Sequence, residues 1–251
     1  HTDHPTRRRE SGRGHRSGPG LRAVTTEHAG EYMPLRATLF DMDGLLIDSE
    51  ILWHEAEVDI LGPLGVPLRH DAPRQTKGII TREVVRYWFE RYPWEGPGLD
   101  EVGEQIIERV GELVEEKGVL LPGAVRAIEL TSERGPIALA SSTTLRGIHR
   151  ALDHFGLRER FATICSAEFE PYGKPHPAVF LTAAQTLGVA PTDCLVFEDS
   201  PAGVLAGKAG RMTVVAVPVE EDVDNPAMGL ADLVLPSLEA LQPNWLDERF
   251  A

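Results

Sequence analysis

Downstream of Leu121, short apolar runs take turns with helical segments, and that alternation limits the possible fold more than any other feature of the chain. Ile137–Ala140, Phe161–Cys165, Leu195–Phe197, Val214–Val217 and Leu233–Leu235 read as buried strands, each short, apolar and bounded by polar or turn residues. Residues 124–133, 178–187 and 202–209 read as helices, and Leu145, Ile148, Leu152 and Phe155 mark another that is closed by Gly156. Strands joined through helices of this length return to the same end of the sheet, so they pair in parallel. The expected fold is α/β: a doubly wound parallel sheet, with right-handed crossovers covering both faces. An earlier apolar run through Leu35, Ala37, Leu39 and Phe40 adds a first strand.

Between that first strand and Leu121 the pattern is different. Glu50 to Leu61 has a helical look and is closed by Gly62-Pro63. Thr81 is an expected N-cap for an aromatic helix through Tyr92. Val102, Ile106, Val110, Leu113 and Val114 recur at three- and four-residue spacing, one apolar stripe on a third helix. Helices without intervening strands predict a small α-helical domain inserted into the main fold. The expected division is an α/β core over 34–49 and 119–241, a helical cap over 50–118, and a C-terminal tail over 242–251.

Composition narrows the function. The formal net charge of −14 argues against nucleic acid or an anionic membrane as partner, so an anionic substrate needs local positive charge or a metal. Residues 1–33, rich in Arg, Gly, Ser and His, predict a disordered basic tail. The two cysteines, Cys165 and Cys194, lie in apolar runs and read as buried, reduced thiols, which favours a reducing compartment. With no apolar segment of membrane-spanning length, a cytoplasmic protein is expected.

Four polar clusters stand just after predicted strands, where ligands bind in open α/β sheets. Asp41 and Asp43 follow the first. Ser141-Ser142-Thr143-Thr144 follows Ala140, Gly173-Lys174-Pro175-His176-Pro177 leads into a helix, and Glu198-Asp199-Ser200 follows Phe197. Each alone has an ordinary reading: an Asp-Gly turn, an N-cap, a surface lysine, a solvated helix start. Together they make a coherent phosphate chemistry. Hydroxyls and backbone N–H groups at a helix start bind phosphate oxygens. A lysine neutralises charge, and Asp199 with a strand-one carboxylate suits Mg²⁺, which takes few carboxylates plus water and phosphate.

On these clusters the chain resembles the haloacid dehalogenase superfamily, in its capped phosphatase and phosphomutase subgroup, over roughly Leu35 to Leu241. The resemblance implies a Rossmann-like core and a small phosphate-ester substrate. By motif position Asp41 resembles the nucleophile and Asp43 the general acid and base. Ser141, Ser142 and Lys174 resemble the phosphate-binding groups. Asp199 resembles the Mg²⁺ ligand, joined by Asp41 and the Asp43 carbonyl, with Glu198 auxiliary. Dehalogenases and phosphonate-cleaving relatives lack the second acid that Asp43 provides. The sugar-phosphate mutase branch of the β-phosphoglucomutase type carries a cap histidine where this chain has Trp53, which cannot shuttle a proton. The resemblance therefore implies hydrolysis of a sugar or polyol phosphate, most like the hexitol-phosphate and 2-deoxyglucose-6-phosphate phosphatases. A mutase and a non-catalytic sugar-phosphate binder are the alternatives. Lys77, Arg82 and Trp53 are the candidate cap residues for specificity, His176 is expected to order its loop, and a monomer is expected.

Overall fold

The computed structural model describes residues 34–69 and 79–251, so the expected tail over 1–33 and the cap residue Lys77 lie outside the described residues. Six strands form the core sheet: β1 (Ala37–Phe40), β2 (Ile137–Ser141), β3 (Thr163–Ser166), β4 (Cys194–Glu198), β5 (Thr213–Ala216) and β6 (Leu233–Val234). All pair in parallel, in the order β3-β2-β1-β4-β5-β6, as the strand–helix alternation predicts. The central strand β1 thus lies between β2 and β4, where the order reverses and a crevice opens past the carboxyl ends.

Alternate strand residues serve opposite faces. Phe40, Ile137, Leu139, Leu195 and Phe197 pack under helices α4 (Ala124–Ser132) and α5 (Leu145–His154). Leu39, Ala138, Ala140, Cys194 and Val196 pack under α6 (Ala178–Leu187) and α7 (Pro201–Ala209). The Phe40 and Phe197 rings stack at 5.0 Å across the β1–β4 seam, worth about 0.5–1.5 kcal/mol beyond their burial. On the other face alanines let α6 and α7 come close, and at Gly207 a Cβ would sit 2.7 Å from Val214 Cγ2. Both cysteines are free and buried, and burial raises both thiols, Cys194 to about 12.

Helices α1 (Glu50–Leu61), α2 (Thr81–Arg91) and α3 (Leu99–Lys117) form the insert between β1 and β2. Two strands of chain join it to the core side by side: the Asp48 amide donates to Val119 O and the Leu121 amide to Leu46 O, both at 2.9 Å. An ionic clasp also ties α3 to α5. Arg150 reaches Glu115 through two bonds of 2.7 Å and Glu108 through a third of 2.7 Å. Gly111 makes room for it, since a Cβ there would lie 2.5 Å from the guanidinium.

Two expectations are corrected. Thr81 is the first residue of α2 rather than its cap; Ile80 takes the cap position with extended backbone and a side chain buried against the core. The stretch expected to be a C-terminal tail contains helix α8 (Pro243–Phe250), whose Leu246 is fully buried. The Leu35 amide donates to Arg249 O at 2.6 Å, which fastens α8 to the entrance of β1.

Candidate active site

The four clusters meet at the carboxyl end of the sheet. Asp41 follows β1 directly; its amide still pairs with Phe197 O on β4, so its carboxyl group emerges at the strand tip. Lys174, from the loop before α6, sends its ammonium beneath it. The Nζ donates to Asp41 Oδ1 at 2.7 Å, to Glu198 Oε1 at 2.6 Å and to Ala140 O at 3.2 Å. Three donors meet three acceptors, and the side chain is only 3 % exposed.

Burial is the dominant influence on Asp41. It pushes the carboxyl up, the Lys174 charge pulls it down, and Glu198 and Asp43 push it up again, to about 7. Burial also works against the charged lysine, yet the Asp41 and Glu198 carboxylates outweigh it and raise Lys174 above its ordinary value. One ammonium among several buried acids leaves the pocket short of positive charge.

Glu198 spends both oxygens within the protein. Oε1 takes the lysine, and Oε2 accepts from the Ser200 amide and hydroxyl, each at 3.0 Å. Ser200 Oγ in turn accepts from the Gly203 amide at 3.0 Å, capping α7. Gly203 has no substitute here: a Cβ would lie 1.8 Å from the Glu198 carboxylate. Asp199, also buried, rests over Gly44, where φ is +76° and a Cβ would fall 2.4 Å from Asp199 Oδ2. Only glycine combines that backbone with that clearance.

Asp41, Glu198 and Asp199 each bring a carboxylate oxygen within 4.8 Å of the others. This donor set fits a divalent cation: hard oxygen ligands, an excess of negative charge, and Asp41 and Asp199 facing a cleft with room for water. Glu198, the expected auxiliary ligand, belongs to this set and also bonds Lys174 and Ser200. The Asp43 side chain stands apart from the three. Its Oδ1 accepts from Ser49 Oγ at 2.6 Å and Trp53 Nε1 at 2.9 Å, and its Oδ2 from Thr143 Oγ1 at 2.7 Å and Ser141 Oγ at 3.5 Å.

A cleft of about 450 Å³ brings together Asp41, Asp43, Trp53, Ser141, Ser142, Lys174 and Asp199, with Glu50, Ile79, Thr81, Thr143 and Ser200 also on its walls. Arg82 does not line it. Exposed on α2, it donates to the carbonyls of Glu168 (3.4 Å) and Glu170 (3.3 Å), and so bridges cap to core. His176 Nδ1 accepts from the Ala178 amide at 3.2 Å, which orders the turn into α6. Sequence reasoning missed Ser49, Thr143, Ile79 and Thr81. Thr143 sits inside a cluster already singled out, and only the missing distances concealed the target it shares with Ser49, Asp43.

Known proteins resemble this chain over most of its length. Residues 35–211 match the haloacid dehalogenase-like hydrolase family. Hexitol phosphatase B of Escherichia coli strain K12 is 46% identical over 208 residues, covering 82% of this chain and 93% of that one. A probable pseudouridine-5'-phosphatase of Drosophila melanogaster is 34% identical over 220 residues, covering 82% and 90%. Among solved structures, a β-phosphoglucomutase from Clostridium difficile superposes with a TM-score of 0.74 at 25% identity, over 86% of this chain and 97% of that chain. No helix among the described residues is long and apolar enough to cross a membrane. The fold, the match over 35–211 and the closeness of these relatives place the chain in the haloacid dehalogenase-like hydrolase family.

Proposed function

We propose that this protein is a Mg²⁺-dependent phosphatase acting on a small sugar or polyol phosphate through a phosphorylated Asp41. The observation that carries the reading is the buried Lys174 held against Asp41 at the strand tip, with Asp43 in the same cleft. Such an arrangement orients one carboxylate oxygen for attack and keeps a second carboxyl group near the leaving atom. Likeness to hexitol phosphatase B supports a polyol or sugar phosphate as the substrate class.

In the first step an Asp41 oxygen attacks phosphorus, the bond from phosphorus to the ester oxygen breaks, and Asp43 gives its proton to the departing alkoxide. In the second, water attacks the same phosphorus, passes a proton to Asp43, and Asp41 leaves as a carboxylate. Asp43 ends protonated and ready for the next ester, so protons balance over the cycle. Ser141 and Ser142, at the turn into α5, bind phosphate oxygens. Lys174 compensates the charge that the phosphoryl group brings. Asp41 and Asp199, with the Asp43 carbonyl, would hold Mg²⁺, which supplies charge neutralisation and fixes the phosphate for in-line attack.

Incubation with Mg²⁺ and a panel of hexose, hexitol, pentose and triose phosphates tests the reading. Release of inorganic phosphate, fastest from a six-carbon ester, is the expected result. The likeness to β-phosphoglucomutase favours a second outcome, isomerised sugar phosphate without free phosphate, which would replace hydrolysis by mutase chemistry. Binding of the esters without either product would mark a sensor.

Metal binding has its own pH signature. The Asp41 carboxyl group lies at about 7 in the metal-free protein, well above its ordinary 3.8. A group raised in this way contributes stability that is fully present below pH 3.8 and is lost as pH rises through 7. Mg²⁺ must displace that proton below pH 7, so its apparent affinity should fall by about tenfold per pH unit there and level off above. The rise in melting temperature at fixed Mg²⁺ is therefore expected to grow from pH 5.5 to 7.5; a shift constant over that range would mean that no Asp41 proton is displaced when the metal binds.

A further inference from the structure

Asp43 is gripped at both oxygens, and one of its four donors differs in kind from the rest. Ser49, Thr143 and Ser141 offer hydroxyls, which rotate and turn from donor to acceptor as their partner gains a proton. The indole N–H of Trp53 only donates. The ring that carries it is 5 % exposed and packed in the core cluster, so its direction is set by the fold.

Trp53 also spans a boundary. It belongs to α1, the first cap helix, whereas Asp43 lies in the turn after β1, so the 2.9 Å bond crosses from cap to core. On one side of the indole is the cleft above Asp41. On the other is a small, largely apolar pocket between α3 and α5, lined by Met42, Ile107, Val110 and Val114. Asp43, Trp53 and Thr143 border both spaces and separate them.

We infer that Trp53 is a positioning residue for Asp43. Its N–H sets the direction of Oδ1, and with it the reach of the proton carrier toward the departing oxygen, while joining that direction to the placement of α1. The inference rests on the reading of Asp43 as proton carrier. A side chain that positions an acid matters most when the leaving group needs a proton. An alkoxide needs one; p-nitrophenolate does not.

The test measures kcat/KM, which reports phosphorylation of the enzyme, on a hexitol 6-phosphate and on p-nitrophenyl phosphate. Three forms are compared with the wild type: Trp53→Phe, Asp43→Asn and the double variant. Trp53→Phe is expected to lose about tenfold on the alkyl ester and threefold or less on the aryl ester, and to cost nothing further in the Asp43→Asn background. Equal losses on both esters, or a further loss in that background, would overturn the proposal. Should the phenylalanine variant fold poorly, β-(3-benzothienyl)alanine at position 53 replaces the N–H by sulfur within the same ring outline and is held to the same outcomes. Asp43→Asn separates the two levels of the argument. If it shows the leaving-group dependence and the position-53 variants do not, only the role of Trp53 fails; if it shows none, the proton-carrier reading fails and the role of Trp53 with it.

Discussion

Asp41→Asn is expected to abolish turnover, lowering kcat by on the order of 10⁴-fold or more, while leaving the fold intact. The amide has nearly the shape of the carboxyl group, and its oxygen still accepts from Lys174, which now lies 2.7 Å from Asp41 Oδ1. What disappears is the proposed nucleophile. Because burial already works against a charge at this position, the variant should melt no lower than the wild type in metal-free buffer at pH 8. Phosphate release in a Mg²⁺ assay and a melting curve check both halves. Hydrolysis at the wild-type rate would remove Asp41 from the chemistry, and a collapsed melting transition would leave the loss of activity unassigned to it.

Lys174→Met is expected to act on stability as strongly as on catalysis. Methionine fills much the same volume, but Asp41 and Glu198 would then share a buried site without their common cation. Breaking a buried ion pair from one side costs about 3–5 kcal/mol, which for a domain of this size lowers the melting temperature by roughly 10 °C. The sign of the pH dependence follows from the same charges. With the lysine's lowering influence gone, the Asp41 carboxyl group rises beyond its already elevated position near 7. Stability is then retained at low pH, where the proton is bound in both states, and lost as pH rises. The gap in melting temperature between variant and wild type should be widest at pH 8 and narrow by pH 5. A gap that stays constant would mean the lysine acts through packing alone.

Much of this architecture is legible from the chain because parallel strands are buried on both faces and announce themselves as uninterrupted apolar runs. The strand expected at Leu195–Phe197 proves one residue longer at each end, and the helix expected over 178–187 is found at those bounds. Polar residues just past such runs must lie at the open edge of the sheet, which is how Asp41, Ser141 and Asp199 could be grouped before any distance was known. The connections that depend on side-chain direction were not legible. That Glu198 would turn both oxygens inward, toward Lys174 and Ser200, follows from the clearance above Gly203, and no spacing rule encodes it. Arg82 reads as a candidate cap residue for specificity, and no sequence pattern shows that the setting of α2 brings it to the carbonyls of Glu168 and Glu170. The final helix escaped notice because its mixed polar and aromatic sequence hides the single residue, Leu246, that is fully buried.

The position of β1 at the middle of the sheet also governs when the enzyme comes into being. Lys174 and Asp41 are 133 positions apart along the chain, and Asp199 is made later still. A growing chain therefore carries Asp41 long before it has either the cation that bonds it or the β4 neighbour that pairs with it. Contacts of such long range form late, after the local helices and after the loops between them have closed. Recovery of activity during refolding should thus lag behind recovery of helical signal, and timing the two together would clock the moment β4 docks beside β1.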